Sequence, residues 1–186
     1  MNLANKLTIL RLILIPFFLV TFYITPLKTQ TIEIGGVFQT PSSFFVALII
    51  FLIAAATDWI DGYIARKYDM ITDFGKFMDP LADKLLVTAA LLIFIEFGLI
   101  TSWIVFVILA REFIVTGFRT IAASKGVVIA AGWSGKVKTV LQFVLIIFLL
   151  TGILPVRFEQ LFAILVALVT VLSGMEYTLK NLDVLK

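Results

Sequence analysis

Apolar residues in this chain do not alternate with polar ones; they gather into long blocks separated by short polar stretches. Six blocks stand out, at about 7–24, 43–60, 79–97, 100–123, 137–154 and 158–179. Each is close to the roughly 20 residues that carry a helix across a hydrocarbon core. Lipid offers no partners for backbone polar groups, so only helices or closed barrels can span it, and the missing period-two pattern excludes a barrel. The pattern therefore predicts an all-α polytopic membrane protein with six transmembrane helices, folded as one domain over residues 1–186. The first block, with Lys6 and Arg11 near its start, could pass for a signal peptide. Pro16 interrupts it and no small-residue cleavage site follows Ile24, so it is expected to stay as the first span.

The cations set an orientation. With the N-terminus in the cytoplasm, the inner side and adjoining helix ends receive Lys6, Arg11, Arg66, Lys67, Lys76, Lys84, Arg111, Arg119, Lys125, Lys136, Lys138, Lys180 and Lys186. The outer side receives Lys28 and Arg157 alone. This asymmetry predicts cytoplasmic N- and C-termini in a cell membrane, although Arg111 lies too deep in its block to count as a loop charge. The outer connections are expected at 25–42, with Gly35-Gly36 and Pro41 as turn signals, and at short links near 98–101 and 155–156. The inner connections, near 67–78 and 124–135, carry the polar residues.

Composition narrows the chemistry. The chain is 61% hydrophobic and 15% charged over 186 residues, where a soluble domain is about half apolar. It contains neither Cys nor His. Disulfides, thiolate metal sites, Cys nucleophiles and every His-based triad are thereby excluded. A metal site would have to be all-oxygen, which suits Mg²⁺, Mn²⁺ or Ca²⁺. A net charge of +3 is too small to point to nucleic acid.

The chemistry-bearing residues cluster where the second block ends and the third begins. Asp58 and Asp61 are three apart, and Asp79 and Asp83 are four apart, so on helices each pair shares a face. If the two helices are neighbours, four carboxylates converge near the cytoplasmic boundary. Four such charges in a partly dehydrated site need compensation, because repulsion and desolvation would otherwise protonate some of them. Two divalent cations would balance them, and paired metals suit phosphoryl transfer, with Mg²⁺ the natural candidate and Mn²⁺ close behind. Gly62 and Ala65 remove bulk beside the first pair, Gly75 lies in the turn before the third span, and Asp79-Pro80 reads as a helix start. Arg66 adds a fixed positive fork suited to phosphate. A lone intramembrane Asp could be a cap or packing glue; four with small residues between them argue for a functional site.

Taken together, these positions read D-x-x-D-G-x-x-A-R, eight residues, then G-x-x-x-D-x-x-x-D, from Asp58 to Asp83. This resembles the signature of the CDP-alcohol phosphotransferase family at every fixed position. The resemblance implies six transmembrane helices, a homodimer, a divalent-metal site open to the cytoplasm and displacement of CMP by an alcohol. It implies Asp58, Asp61 and Asp79 as metal ligands, and Asp83 as general base with a further contact to the metals. It also implies Gly62, Ala65, Arg66 and Gly75 as the cradle of the CDP-lipid. The opening Asn5-Lys6-Leu7-Thr8-Ile9-Leu10-Arg11 is similar to the family too, and extends the CDP-lipid site to Asn5 and Thr8. There the chain departs from the pattern, with Leu3-Ala4-Asn5 where a Pro-Asn pair is usual.

The motif leaves the acceptor alcohol open. Arg111-Glu112 lies well inside the fourth block and Arg119 is eight residues on, about 80° around the helix. Gly135-Lys136-Val137-Lys138-Thr139 opens the fifth block with two more cations. Lys136 and Lys138 could be ordinary inner-side cations, but a buried Arg111 needs Glu112 or a ligand anion as partner. A cationic pocket of Arg111, Arg119, Lys136 and Lys138 suggests an acceptor that itself carries phosphate. The runs 111–117 and 135–139 resemble the family members whose substrates are CDP-diacylglycerol and glycerol-3-phosphate. Phosphatidylglycerol, serine or inositol phosphate remain rival acceptors. Outside the family, a cation transporter or a lipid-binding scaffold without activity remain alternatives.

Overall fold

The computed structural model describes residues 3–24, 30–34, 38–67, 73–127, 129 and 132–182. Side chains at 3–4, 33–34, 38–39, 59, 61–66, 73–74, 76–77 and 80 lie outside that description, as do Lys28, Gly35-Gly36 and Lys186. Among the described residues, six helices and one strand pair run in the order α1 (Leu3–Thr21), β1 (Thr31–Ile34), β2 (Phe38–Pro41), α2 (Ser42–Lys67), α3 (Asp73–Glu96), α4 (Ser102–Ser124), α5 (Trp133–Thr151) and α6 (Val156–Lys180). The chain forms two compact units, one of Met1–Ile93 with Leu150–Ile153 and one of Phe94–Leu149 with Leu154–Lys186.

In the first unit α1 packs along α2. Its buried stripe runs Asn5, Thr8, Arg11, Ile15, Phe18 and Phe22, a helical repeat of three and four. The stripe is polar in its first three members and apolar in the rest. Phe22 bridges Phe18 and Phe44 in edge-to-face contacts with centroids 5.4 and 5.1 Å apart. Helix α2 is 26 residues long, about 39 Å, which exceeds a hydrocarbon core of about 30 Å. Its last turns are the ones that hold the aspartate motif.

The second unit is built by α4, α5 and α6, with α4 packed against α6. Ile108, Leu145, Ile146, Leu149 and Val166 are buried, and Phe148 meets Phe162 edge-on at 5.5 Å. Helices α3 and α4 both end in Schellman motifs. Gly98 and Gly126 take φ of +69° and +73°, conformations that cost a residue with a Cβ. Leu99 and Val127 donate back to the carbonyls of Phe94 and Ala122 at 2.9 Å each. The expected breaks near 98–101 and 124–135 thus have a backbone cause.

The surface is that of a membrane protein. Phe17, Phe106, Phe113, Leu161, Leu168 and Leu172 are exposed, while Arg11, Lys138, Gln142, Thr170 and Ser173 are buried. Water would favour the reverse. By length and apolarity, α5 and α6 can cross a bilayer, and Ser42–Asp58 within α2 is a shorter apolar stretch.

Two expectations need correction. The connection 25–42 is not purely a loop: Thr31–Ile34 and Phe38–Pro41 pair as antiparallel strands, and Pro41 ends a strand opposite Thr31. Thr31, Ile32 and Ile34 are β-formers, and Pro at the last ladder position sacrifices little hydrogen bonding. The hydroxyl of Thr40 then donates to the carbonyl of Thr151 at 2.7 Å. Nor does the third helix start at Asp79-Pro80. It starts at Asp73, so Gly75 and Pro80 are inside α3. A proline removes one helical hydrogen bond and crowds the preceding turn, and the residues on either side sustain the helix across it.

Candidate active site

Helix α1 brings the two halves of the aspartate motif together. Its Thr8 hydroxyl donates to Asp79 Oδ1 of α3 at 2.5 Å. One turn later, Arg11 Nη1 lies 2.7 Å from Asp58 Oδ1 of α2. Thr8 and Arg11 are three residues apart, so Asp58 and Asp79 are drawn to adjacent turns of one helix face. The Arg11 side chain is 1% exposed and that of Asp58 43%, so the cation is buried while the carboxylate reaches an opening. Asn5 is buried one turn before Thr8, Gly75 is buried in α3, and Asp83 is partly exposed one turn beyond Asp79.

The side chains of Asp61, Gly62, Ala65 and Arg66 lie outside the described residues, although all four positions belong to α2. Among the described residues no three carboxylates gather closely enough to hold a metal ion by themselves. What Asp58, Asp79 and Asp83 offer is carboxylate oxygen, and the chain holds neither a His imidazole nor a Cys thiolate. That donor chemistry fits a hard divalent cation.

Arg11 is the residue that sequence reasoning missed. As a cation near the chain start it reads as an inner-side marker, yet it is buried against a site carboxylate. A signal was present: Asn5, Thr8 and Arg11 form a polar stripe at i, i+3 and i+6 that continues as Ile15 and Phe18.

In the second unit two of the four expected cations meet on one carboxylate. Arg111 Nη1 lies 3.3 Å from Glu112 Oε1, and the ammonium of Lys138 on α5 contacts the same oxygen. Arg111 Nη2 donates to Ser173 Oγ on α6 at 2.9 Å. These charged side chains are mostly buried, at 11% exposed for Arg111, 5% for Lys138 and 17% for Glu112. Two cations thus meet on the carboxylate of Glu112, and buried charge of this kind is costly enough to mark a candidate functional site. Arg119 has a different partner: its Nε donates to the Tyr177 hydroxyl at 3.2 Å and its guanidinium lies 5.5 Å from that ring's centroid. Arg119 and Lys136 are exposed.

A membrane-embedded helical chain with a carboxylate pair at each of two helix segments defines a class, and comparison with known proteins agrees. The chain belongs to the CDP-alcohol phosphatidyltransferase family, whose model matches residues 1–173. Among its relatives is a Bacillus subtilis (strain 168) protein named CDP-diacylglycerol–glycerol-3-phosphate 3-phosphatidyltransferase. The two are 44% identical over 100% of this chain and 97% of the relative. Proteins of the same name in Haemophilus influenzae (strain KW20) and Escherichia coli (strain K12) are 42% and 39% identical. Those matches cover 76% and 80% of this chain and 71% and 76% of the relatives.

Proposed function

We propose that this chain transfers the phosphatidyl group of CDP-diacylglycerol to sn-glycerol-3-phosphate, giving phosphatidylglycerophosphate and CMP. The similarity to the Bacillus subtilis protein over the whole chain carries this reading. The joining of Asp58 and Asp79 through Arg11 and Thr8 supports placing the reaction at the aspartate motif. In this reading the chain is one membrane domain with six spans, both termini and the active site face the cytoplasm, and two copies form a homodimer. The inner-side bias of the cations supports the orientation.

Asp58, Asp61, Asp79 and Asp83 would hold two divalent cations, Mg²⁺ or Mn²⁺. When bound, these supply neutralisation of the pyrophosphate and of the charge that develops on it. Asn5, Thr8, Gly62, Ala65, Arg66 and Gly75 bind the CDP-lipid, whose tails stay in the bilayer. Arg111 and Lys138, helped from further out by Arg119 and Lys136, orient the acceptor phosphate. Asp83 takes the proton from the acceptor 1-hydroxyl as its oxygen bonds to the phosphorus of the phosphatidyl group. The bond from that phosphorus to the CMP oxygen breaks, and CMP leaves. Most of the acceleration comes from positioning and fixed electrostatics.

The test is CMP release by protein purified in detergent, supplied with CDP-diacylglycerol, Mg²⁺ and labelled glycerol-3-phosphate. Label is expected in a chloroform-soluble product. CMP release with serine, inositol phosphate or phosphatidylglycerol, and none with glycerol-3-phosphate, overturns the acceptor.

A further inference from the structure

Gly174 lies inside α6, six residues before its end at Lys180, where Ala is the stronger helix former. Something must offset that preference. A glycine where two helix backbones touch is the common explanation, but here the surroundings differ. A Cβ built on Gly174 would lie 2.7 Å from Cγ of Arg111, 3.5 Å from its Nε and 3.7 Å from its Cδ. Its three nearest neighbours are thus all atoms of one side chain. The absent Cβ leaves a slot for the Arg111 stem, not for a helix crossing.

The residue before it completes the hold. Ser173, 2% exposed, accepts the 2.9 Å hydrogen bond from Arg111 Nη2. Glu112, shared with Lys138, takes Nη1. The Nε donor is buried and has no hydrogen-bond partner among the described residues. A buried unsatisfied donor is costly, and a guanidinium fixed on two nitrogens with its third donor unspent is arranged to receive an oxygen from outside the chain. A methyl at Gly174 would clash with the stem at Cγ and, by pushing it aside, carry that donor out of place.

We propose that Ser173 and Gly174 are positioning residues: they set the Arg111 side chain in the geometry that receives the acceptor's phosphate. The proposal rests on the functional reading above, in which Arg111 binds that phosphate. It adds two residues of the sixth helix that act through Arg111 without touching substrate. The chemistry they serve is recognition of a phosphomonoester anion.

The test compares Gly174→Ala, Ser173→Ala and Arg111→Ala, each purified in detergent and shown by thermal melting to be folded. KM for glycerol-3-phosphate and for CDP-diacylglycerol is measured separately, together with kcat. Gly174→Ala is expected to raise the acceptor KM about tenfold and Ser173→Ala about threefold, with the CDP-diacylglycerol KM within twofold of wild type. General loosening of the helix packing would move both KM values together, and that result overturns the proposal. An acceptor KM raised by Arg111→Ala but unmoved by Gly174→Ala and Ser173→Ala overturns it while leaving the functional reading intact. If wild type works only with another acceptor, the functional reading falls, and the variants are measured on that acceptor. A KM unmoved there overturns the proposal as well; a selective rise upholds it. Should Gly174→Ala fail to fold, Ser173→Ala decides by the same split.

Discussion

The polar contacts of the first unit and the charge cluster of the second are built on opposite plans. Around α1, one buried cation and one hydroxyl each hold a single carboxylate of the aspartate motif, and Asp83 adds more anionic oxygen one turn away. Around Arg111 the roles are reversed, with two cations meeting on the carboxylate of Glu112. Charges of either sign in a low-dielectric setting favour opposite charge beside them. In the proposed reading the first arrangement recruits cations and the second an anion. A lipid pyrophosphate neutralised by metals and an acceptor phosphate held by arginine would need both.

The contrast breaks most visibly at the aspartates. Chelation with EDTA is expected to abolish CMP release, and Mg²⁺ or Mn²⁺ to restore it; full turnover in the chelator would remove the reason for four carboxylates. Asp83→Asn keeps size and shape but cannot accept the proton, and kcat is expected to fall about 10³-fold with the acceptor KM little changed. Single-turnover CMP release measures it, and full turnover in this variant would take the general-base role away from Asp83. At the cationic cluster the effect should be smaller and should appear in binding. Arg111→Ala removes a charge-assisted contact, and kcat/KM for glycerol-3-phosphate is expected to drop about 10- to 100-fold, mainly through KM. A drop confined to kcat would place Arg111 in the chemistry instead of acceptor binding. Thr8→Val, which deletes the donor to Asp79 while conserving volume, is expected to lower kcat/KM about fivefold.

Much of the first unit's site was legible because its pattern is local. Spacings of three and four in Asp58, Asp61, Asp79 and Asp83 have a fixed meaning on any helix, and α2 and α3 are helical throughout them. Arg11 was not legible in the same way. Positive-inside counting treats every cation as a label of topology, and only packing of α1 on α2 turns one of them into a carboxylate's partner. The extent of α3 was misread for a related reason: Asp-Pro is a strong start signal, but a proline costs one backbone bond and a long helix absorbs it. The strand pair went unseen because four-residue strands fall below the length at which alternation declares itself. In the second unit, angular position on α4 suggested that Arg111 and Arg119 act together. Two turns of rise separate them, however, and α6 offers each a different partner, Ser173 to one and Tyr177 to the other.

That separation yields the finest prediction. Arg119 is exposed, and its described partners are a neutral hydroxyl and an aromatic face, whereas Arg111 is buried beside Lys138. An exposed guanidinium is hydrated and screened by salt, so its pull on a phosphate several ångströms away is weak. Arg119→Ala and Lys136→Ala should raise the acceptor KM no more than about threefold at 0.15 M salt, and less as salt increases. Arg111→Ala, acting from a buried position, should keep most of its effect at high salt. Measuring the three KM values across a salt series therefore asks whether the cations form one pocket or a buried clamp with an outer rim. Parallel salt dependence in all three would restore the single pocket.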